Sequence, residues 1–277
     1  MTATDSQVGV VKDSVFGQGG ALDLRCDVYA PRGVPSKHAA VILLHGGGFA
    51  RGSKDRARMA GPLVSLGYTC VASQYRLGHE GKWPAQIEDV KACIRWTRTN
   101  ADRLGLDSAK IAVLGHSAGA RLALIAAGSA NQADLEGEGG NPGVPTDVAA
   151  CVALYAPAGD AVRSEAHLHP TLAADADDEA YRSFSPITYL LRESFPPTIL
   201  FHGTADRAVP VETSVLVYQA LMESGAAVEL HVLEGVGHGF DVHAELAEAS
   251  AHWIDLFLDR HVVNPRTYPP TELALRA

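Results

Sequence analysis

The sequence has no hydrophobic run long enough to cross a bilayer, because its apolar stretches, such as residues 39–44, are only as long as β-strands. Residues 1–7 also lack the basic start and the apolar stretch of a signal peptide, so we expect a cytoplasmic protein. Basic side chains are in deficit, since 23 Lys and Arg against 32 Asp and Glu give a formal net charge of −9. No Lys/Arg cluster reverses this charge locally, and we expect neither a nucleic-acid nor a membrane partner.

Cysteine is scarce too, and no two cysteines form a CxxC pair. Three of them lie in strand-like apolar runs, which favours free buried thiols over a disulfide framework or a metal site. A zinc site at His167 and His169 would need further ligands, and only three aspartates lie near them in the sequence. We therefore interpret the two histidines as part of a solvated loop. The sequence therefore predicts no metal and no cofactor. The cysteines are Cys26, Cys70, Cys93 and Cys151.

Short apolar runs alternate along the chain with longer amphipathic segments, a pattern typical of a parallel sheet covered by helices. The first two runs alternate apolar and polar residues, as an antiparallel edge does, whereas the middle runs are apolar throughout, as buried parallel strands are. We predict an α/β fold with about eight strands in a mostly parallel sheet flanked by helices. The predicted strands are 8–15, 22–29, 40–45, 69–73, 110–115, 150–155, 198–203 and 228–234, and the main predicted helices are 84–100, 118–127, 211–224 and 244–260.

Three segments interrupt this alternation within what the composition, 47% hydrophobic over 277 residues, predicts to be a single domain. Residues 131–146 are rich in glycine, proline, asparagine and acid, and predict a surface loop. Residues 158–197 are longer than an ordinary connection, so we expect a cap-like excursion over the working edge of the sheet. Residues 262–277 contain three prolines and predict a C-terminal tail. Such a tail can dock on a second copy of the chain, so a homo-oligomer stays open.

The pentapeptide GHSAG at residues 115–119 follows an apolar strand and opens a helix of small residues. A G-x-S-x-G sequence in this setting predicts a sharp turn that lifts the Ser117 hydroxyl clear of the sheet. Residues two before and two after the serine would collide with neighbouring elements, which is why both positions are glycine. Ser117 is therefore the candidate nucleophile.

A second glycine-rich turn, HGGGF at residues 45–49, follows the strand at 40–44. Glycines let the backbone approach a ligand closely with its amides pointing inward. The amides of Gly47, Gly48 and Ala118 are predicted to bind the oxyanion of a tetrahedral intermediate. A phosphate-binding loop is disfavoured, because no GK[ST] sequence follows.

Asp206 and His238 each follow a predicted strand of their own, in the sequences HGTAD and GVGHGF. Both are expected at the carboxyl ends of parallel strands, where open α/β sheets bind their ligands. With Ser117 as nucleophile, His238 is the candidate general base and Asp206 the acid that orients it. Asp241 is a weaker candidate for the acid, because it follows His238 too closely in the chain to reach its ring easily.

The order Ser, Asp, His is that of the α/β hydrolases, and the sequence resembles the bacterial esterase branch of that family related to hormone-sensitive lipase. It is similar to the group of feruloyl- or acetyl-xylan-esterase-like proteins from about residue 24 to residue 258. The resemblance lies in HGGGF at 45–49, YRL at 75–77, WPAQIED at 83–89, GHSAG at 115–119, LEGEGGNP at 135–142, HGTAD at 202–206 and GVGHGF at 235–240.

The resemblance implies an α/β-hydrolase fold and a carboxylic ester hydrolase that works through an acyl-serine intermediate. A short, mostly polar excursion suits short-chain or small soluble esters. Two alternatives stay open: a peptidase or amidase of the same fold, and a ligand-binding homologue without turnover. Aromatic and apolar side chains dominate the walls of small-molecule sites, and the predicted substrate-binding residues are Trp83, His116, Tyr155 and Phe240.

Overall fold

The computed structural model of the chain describes residues 8–158, 171–191 and 194–268, in which eight strands form one sheet. The spatial order is β1-β2-β4-β3-β5-β6-β7-β8. The strands are β1 Val8–Gly19, β2 Leu22–Pro31, β3 Ala40–Leu44, β4 Thr69–Ser73, β5 Ile111–His116, β6 Ala150–Leu154, β7 Thr198–Gly203 and β8 Val228–Leu233.

The prediction of a mostly parallel sheet of about eight strands is confirmed. β1 pairs antiparallel with β2, and β2 pairs antiparallel with β4, whereas every pairing from β4 to β8 is parallel. All residues of the central strands β3, β4, β5, β6 and β7 are buried. The carboxyl ends of these strands therefore share one edge of the sheet, where the loops after them can meet.

Helices cover both faces of the sheet. The helices of the described residues are α1 Ala60–Ser65, α2 Ala85–Thr99, α3 Ala101–Leu104, α4 Ala118–Gly128, α5 Ala133–Glu136, α6 Asp178–Phe184, α7 Ile187–Leu190, α8 Glu212–Glu223 and α9 Ala244–Leu258, the last continued by a π-helical turn Asp259–Val263. In the described ranges, no helix combines the length and apolar character needed to span a membrane.

Successive side chains of β3 show how the sheet divides two cores. Ile42 and Leu44 pack into a core shared with α2, α4 and α8, whereas Val41 and Leu43 pack into the opposite core with α1 and α9. Because side chains alternate along a strand, an entirely apolar strand covers both faces at once. The two cores hold the strand ends rigidly, which fixes the loops that follow them.

The interpretation of residues 131–146 as a surface loop is wrong in part. Helix α5 lies within this segment, and two buried cations of α2 bind it. Arg95 donates to the carbonyls of Glu136 and Gly140, both at 2.9 Å, and Lys91 donates to the Glu136 carboxylate at 2.8 Å. Buried cations must find acceptors, and the segment supplies them, so its polar composition serves an interior contact as well as the surface.

Residues 158–197 lie only partly in the described structure. Helices α6 and α7 belong to this segment, whereas residues 159–170 and 192–193 fall outside the described residues. His167 and His169 are among the latter. Residues 269–277 of the predicted tail also lie outside the described part.

Candidate active site

Ser117 lies at the turn between β5 and α4, with backbone angles of φ 53° and ψ −117°. A positive φ is rare for a residue with a side chain and stores strain. The backbone N–H of Ser117 donates a hydrogen bond to the carbonyl oxygen of Leu154 in β6 at 3.0 Å, which holds the turn in place. The strained angles direct the Ser117 side chain away from the helix, so the hydroxyl faces the loops at the sheet edge.

The glycines on either side of Ser117 are required by close backbone contacts. A Cβ atom on Gly115 would lie 2.1 Å from the carbonyl oxygen of Gly119, and one on Gly119 would lie 2.3 Å from the carbonyl oxygen of Leu44. These separations are far below van der Waals contact. The turn can therefore form against β3 only with glycine at both positions.

His238 is the residue that connects Ser117 to a carboxylate. Its Nε2 lies 3.0 Å from the Ser117 Oγ, and its Nδ1 lies 2.7 Å from Oδ2 of Asp206. Both are hydrogen-bond distances. With a proton on Nδ1, the ring donates to Asp206 and presents an unprotonated Nε2 to the Ser117 hydroxyl, which is the tautomer that a general base needs.

Asp206 is fixed by its own loop after β7. Its Oδ1 accepts the amides of Ala208 at 2.8 Å and Val209 at 2.9 Å, which leaves Oδ2 for the His238 ring. Burial acts to raise the pKa of Asp206, but the hydrogen bonds from Val209, His238 and Ala208 outweigh it and hold the pKa below the usual value. Asp206 is therefore an anion in the neutral range.

A buried histidine, His202, lies behind Asp206. Its Nε2 is 2.9 Å from the carbonyl oxygen of Val209 and 3.3 Å from Oδ2 of Asp206, and its Nδ1 accepts the Ser214 hydroxyl at 2.7 Å. Burial lowers the pKa of His202, so the ring is neutral and donates from Nε2. His202 thus adds a second donor near Asp206 and fixes the loop that carries it.

The glycine-rich loop after β3 reaches the same edge of the sheet. Gly47 has φ 129° and Gly48 has φ 61°, angles that favour glycine. A Cβ on Gly47 would lie 1.9 Å from the carbonyl oxygen of Arg51. No backbone carbonyl of the described residues accepts the amides of Gly47 and Gly48, so both remain available to a ligand. The Ala118 amide, in the first turn of α4, likewise has no partner within that turn.

His45 holds the start of this loop rather than lining the centre of the site. Its ring stacks on Tyr75 with centroids 4.2 Å apart, and its Nδ1 donates to the Gly46 carbonyl at 2.9 Å. Tyr75 in turn donates its hydroxyl to the His45 carbonyl at 2.6 Å. Burial lowers the pKa of His45 to about 4, so the ring is neutral and acts as an uncharged brace.

The alternative acid, Asp241, has other partners. Its carboxylate accepts the Tyr155 hydroxyl and lies 3.4 Å from the Arg58 guanidinium and 3.4 Å from Nε2 of His116. Burial lowers the pKa of His116, so that ring is neutral. The structure brings Ser117 and His238 together with Asp206, and Asp241 lies in a separate cluster beside them.

A cavity of about 470 Å³ opens directly onto Ser117 and His238. Of the predicted substrate-binding residues, His116 and Tyr155 line it. Trp83 packs edge-on against Phe184 with its indole N–H bonded to Ser183, and Phe240 is buried edge-on against Tyr155; neither lines the cavity. The lining residues are Gly46, Gly47, Gly48, Arg51, Arg56, Arg58, His116, Ser117, Tyr155, Ala208, His238, Gly239 and Val242.

Sequence reasoning missed the three arginines in this wall. Arg51, Arg56 and Arg58 all come from the segment after the glycine-rich loop. The signal that could have revealed them is three arginines within residues 51–58, shortly after HGGGF, in an acidic chain. Within residues 8–158, 171–191 and 194–268, no three His, Cys, Asp or Glu side chains are grouped as metal ligands would be.

The sequence matches known esterases over most of its length. The model of the BD-FAE family matches residues 26–221. Esterase LipC of Mycobacterium tuberculosis is 32% identical over 84% of this chain and 61% of its own length. Esterase LipQ of the same organism is 31% identical over 90% of this chain and 63% of its own length. The chain thus spans about three fifths of the length of these two curated relatives.

Solved structures give the same result over whole chains. The thermophilic esterase Est2 of the Planctomycetes species Thermogutta terrifontis, in its propionate-bound form, superposes with a TM-score of 0.77 at 28% identity. The match covers 96% of this chain and 98% of that one. The butyrate-bound form of the same esterase has a TM-score of 0.75 at 25% identity, with 96% and 98% of the two chains covered.

Proposed function

The chain belongs to the BD-FAE family, within the α/β-hydrolase esterases related to hormone-sensitive lipase, and on that premise we propose that it hydrolyses carboxylic esters through an acyl intermediate on Ser117. The observation that carries the proposal is the chain of hydrogen bonds from Ser117 through His238 to Asp206, at 3.0 and 2.7 Å. A hydroxyl is a weak nucleophile until an adjacent base takes its proton. Here the base is His238, and the Asp206 carboxylate orients its ring through a hydrogen bond.

The first half-reaction forms the acyl-enzyme. Ser117 Oγ attacks the ester carbonyl carbon while His238 Nε2 takes the hydroxyl proton. The carbonyl oxygen becomes an oxyanion, which accepts hydrogen bonds from the amides of Gly47, Gly48 and Ala118. Donors of this kind lower a barrier by about 3–4 kcal/mol each. The intermediate then collapses, the carbon–oxygen bond to the alcohol breaks, and His238 gives its proton to the departing alcohol.

The second half-reaction releases the acid. Water enters, His238 takes one of its protons, and the hydroxide attacks the acyl carbon. The same amides stabilise the second oxyanion. When this intermediate collapses, the proton returns from His238 to Ser117, and the carboxylic acid leaves. Asp206 remains ionised throughout and stabilises the imidazolium that forms twice in each cycle.

We also propose that the preferred acyl groups are short, from acetyl to butyryl. The cavity of about 470 Å³ is open, and the described residues that line it are mostly glycines and polar side chains. The structural relative Est2 was determined with propionate and with butyrate bound. A rate maximum at acyl chains of about ten carbons or more would contradict this proposal.

Two other functions use the same residues. A peptidase or amidase needs the same triad, and a ligand-binding homologue needs only the cavity. The free amides of Gly47 and Gly48 favour turnover over simple binding, because unpaired amides beside the nucleophile can stabilise the negative charge of a tetrahedral intermediate. Comparing 4-nitrophenyl acetate with a peptide 4-nitroanilide separates esterase from peptidase, and absence of turnover on either would favour the binding protein.

The direct kinetic test is Ser117→Ala with Ser108→Ala as the matched control. Ser108 is exposed near the amino end of β5, at the opposite edge of the sheet. The Ser117 variant is expected to lose nearly all hydrolysis of 4-nitrophenyl acetate, whereas the Ser108 variant keeps it. If Ser117→Ala retained more than a small fraction of the wild-type kcat, the acyl-serine mechanism would be wrong.

A further inference from the structure

The cavity wall beside the nucleophile is positively charged in an acidic protein. Three arginines line the cavity, and among the described residues that line it there is no aspartate or glutamate. The chain as a whole has a formal net charge of −9. The guanidinium groups therefore place positive charge on one wall of the cavity, although the chain as a whole is acidic.

The arginines belong to residues 51–58, where the two other charged side chains are turned elsewhere. Lys54 binds the carboxylates of Asp13 at 2.9 Å and Asp27 at 2.8 Å on β1 and β2. Asp55, the acidic residue of the segment, lies 3.7 Å from Lys54 and 3.9 Å from Lys12. These carboxylates therefore pair with Lys54 and Lys12, and they do not neutralise the arginines that line the cavity.

Only one arginine of this wall has an acidic partner among the described residues. Arg58 lies 3.4 Å from the carboxylate of Asp241, a long contact that the Tyr155 hydroxyl shares. Neither Arg51 nor Arg56 forms an ion pair or a side-chain hydrogen bond in the part of the chain that the structure describes. Their guanidinium groups have their full set of donors free for an anion that enters the cavity.

The arginines also lie close to the reacting groups. The amide of Arg51 donates to the Gly47 carbonyl at 3.2 Å, and the Cγ of its side chain lies 3.3 Å from where a Cβ on Gly47 would be, beside the glycine-rich loop. An atom of the Arg58 guanidinium lies 3.9 Å from where a Cβ on Gly239 would be, next to His238. Because the arginines and Ser117 line the same cavity, one small ester can place an anionic group against the arginines and its carbonyl carbon at Ser117.

We propose that the natural substrate is a small ester that carries a carboxylate, and that Arg51, Arg56 and Arg58 bind this carboxylate while Ser117 attacks the ester. Guanidinium groups match the planar geometry of a carboxylate and bind it through paired N–H donors. The inference rests on the proposed esterase function and specifies its substrate class. The carboxylate belongs to either the acid or the alcohol half of the ester, and the experiment separates the two.

Two matched substrate pairs test the proposal. In the first, the charge lies on the alcohol half: 4-acetoxybenzoate is compared with the uncharged 4-acetoxybenzamide. In the second, it lies on the acyl half: monoethyl glutarate is compared with ethyl butyrate. In at least one pair, kcat/KM for the anionic ester is expected to exceed that for the neutral ester by about tenfold or more. The advantage should shrink as salt is added, because exposed charges are screened.

The arginine variants test which residues produce this preference. In Arg51→Gln/Arg56→Gln, the ratio of kcat/KM for the anionic and the neutral ester is expected to fall about tenfold or more. Arg103→Gln is the control for the loss of a positive charge elsewhere, because Arg103 lies on α3 at the opposite edge of the sheet and its replacement should leave the ratio unchanged. A wild-type ratio of one or below in both pairs, or a ratio that the double variant keeps within twofold, would overturn the proposal.

Binding without turnover separates this inference from the esterase proposal. Isothermal titration of Ser117→Ala with 4-acetoxybenzoate and with 4-acetoxybenzamide measures recognition alone. Tighter binding of the anion, lost when Arg51 and Arg56 are also replaced by glutamine, would support the arginine site even if no ester were hydrolysed. Equal binding of the two compounds would count against the arginine site, while hydrolysis of neutral esters through Ser117 would leave the esterase function standing.

Discussion

The hydroxyl of Tyr155 donates a hydrogen bond to the buried carboxylate of Asp241. The same tyrosine ring packs edge-on against His238, with centroids 4.6 Å apart. The bond therefore does two things: it occupies the acid that follows His238 in the chain, and it fixes a ring that supports the His238 side chain. Asp206 is left as the partner of His238 Nδ1, at 2.7 Å.

Replacing Tyr155 by phenylalanine should clearly lower the free energy of unfolding, whereas kcat/KM should change little. A buried carboxylate oxygen would lose its donor, at a cost of about 1–3 kcal/mol. The ring against His238 would remain, so the fall in kcat/KM should be small beside that of a triad variant. Urea unfolding and 4-nitrophenyl acetate hydrolysis measure the two effects.

Tyr218→Phe provides the control for that experiment. Tyr218 is half-buried on α8, and its hydroxyl has no hydrogen bond among the contacts of the described residues. Its replacement should leave the unfolding midpoint almost unchanged. Equal stabilities for the two phenylalanine variants would show that the bond between Tyr155 and Asp241 contributes nothing.

Replacing Gly119 by alanine should destabilise the protein by at least about 2 kcal/mol and abolish activity. The added Cβ would lie 2.3 Å from the carbonyl oxygen of Leu44, so β3 and α4 would have to separate at the nucleophile. Gly61→Ala in α1 is the control, since nothing lies within 4 Å of its added Cβ and alanine favours a helix. A stable, fully active Gly119 variant would contradict the steric account of the turn.

Replacing Asp206 by asparagine should reduce kcat by about 10³- to 10⁴-fold with little change in fold. An amide N–H turned toward His238 favours the tautomer with its proton on Nε2, which cannot accept the proton of Ser117. Asp241→Asn should reduce kcat much less, because that carboxylate contacts Tyr155 and Arg58 rather than the His238 ring. The reverse order of the two losses would make Asp241 the orienting acid.

Much of this site could be predicted from the sequence because its parts are local. The apolar strands are read from continuous hydrophobic runs, and Ser117, Asp206 and His238 each follow one of them. Once the strands are parallel and adjacent, their carboxyl ends must meet. The need for glycine at 115 follows from the turn itself, since an added Cβ would meet the carbonyl oxygen of Gly119, whereas at 119 the neighbouring strand β3 requires glycine.

The wall of the cavity could not be predicted in the same way. In the sequence, Arg56 and Arg58 belong to no strand or helix pattern. Their direction depends on the ion pairs of Lys54, whose partners Asp13 and Asp27 are distant in the chain. Trp83 and Phe240 are aromatic residues within or beside the motifs, but in the structure they pack against Phe184 and Tyr155 and do not line the cavity. Such choices depend on long-range packing, which no local pattern records.

The neutral state of His45 makes stability depend on pH. Burial lowers its pKa to about 4, whereas an unfolded histidine has its ordinary value near 6.5. Between these values the unfolded state binds more protons, so the free energy of unfolding falls as the pH drops from 6.5 to 4. The loss from this one residue is at most about 3 kcal/mol.

Urea unfolding of wild type and His45→Gln between pH 4 and pH 7 measures this effect. The variant should be less stable at pH 7, because it loses the stacking on Tyr75, but its stability should fall less as the pH is lowered. His252→Gln on the exposed side of α9 is the control and should keep the wild-type slope. Parallel curves for wild type and the His45 variant would mean that His45 does not remain neutral in the folded protein.

Covalent labelling tests the central claim most directly, because it asks which atom becomes the nucleophile. The protein is treated with a fluorophosphonate, and the labelled peptide is identified by tandem mass spectrometry. The account predicts one phosphonyl group for each chain, attached to Ser117, with none on Ser117→Ala and slower labelling of Asp206→Asn. A label on any other residue, or an unlabelled protein that still hydrolyses 4-nitrophenyl acetate, would contradict it.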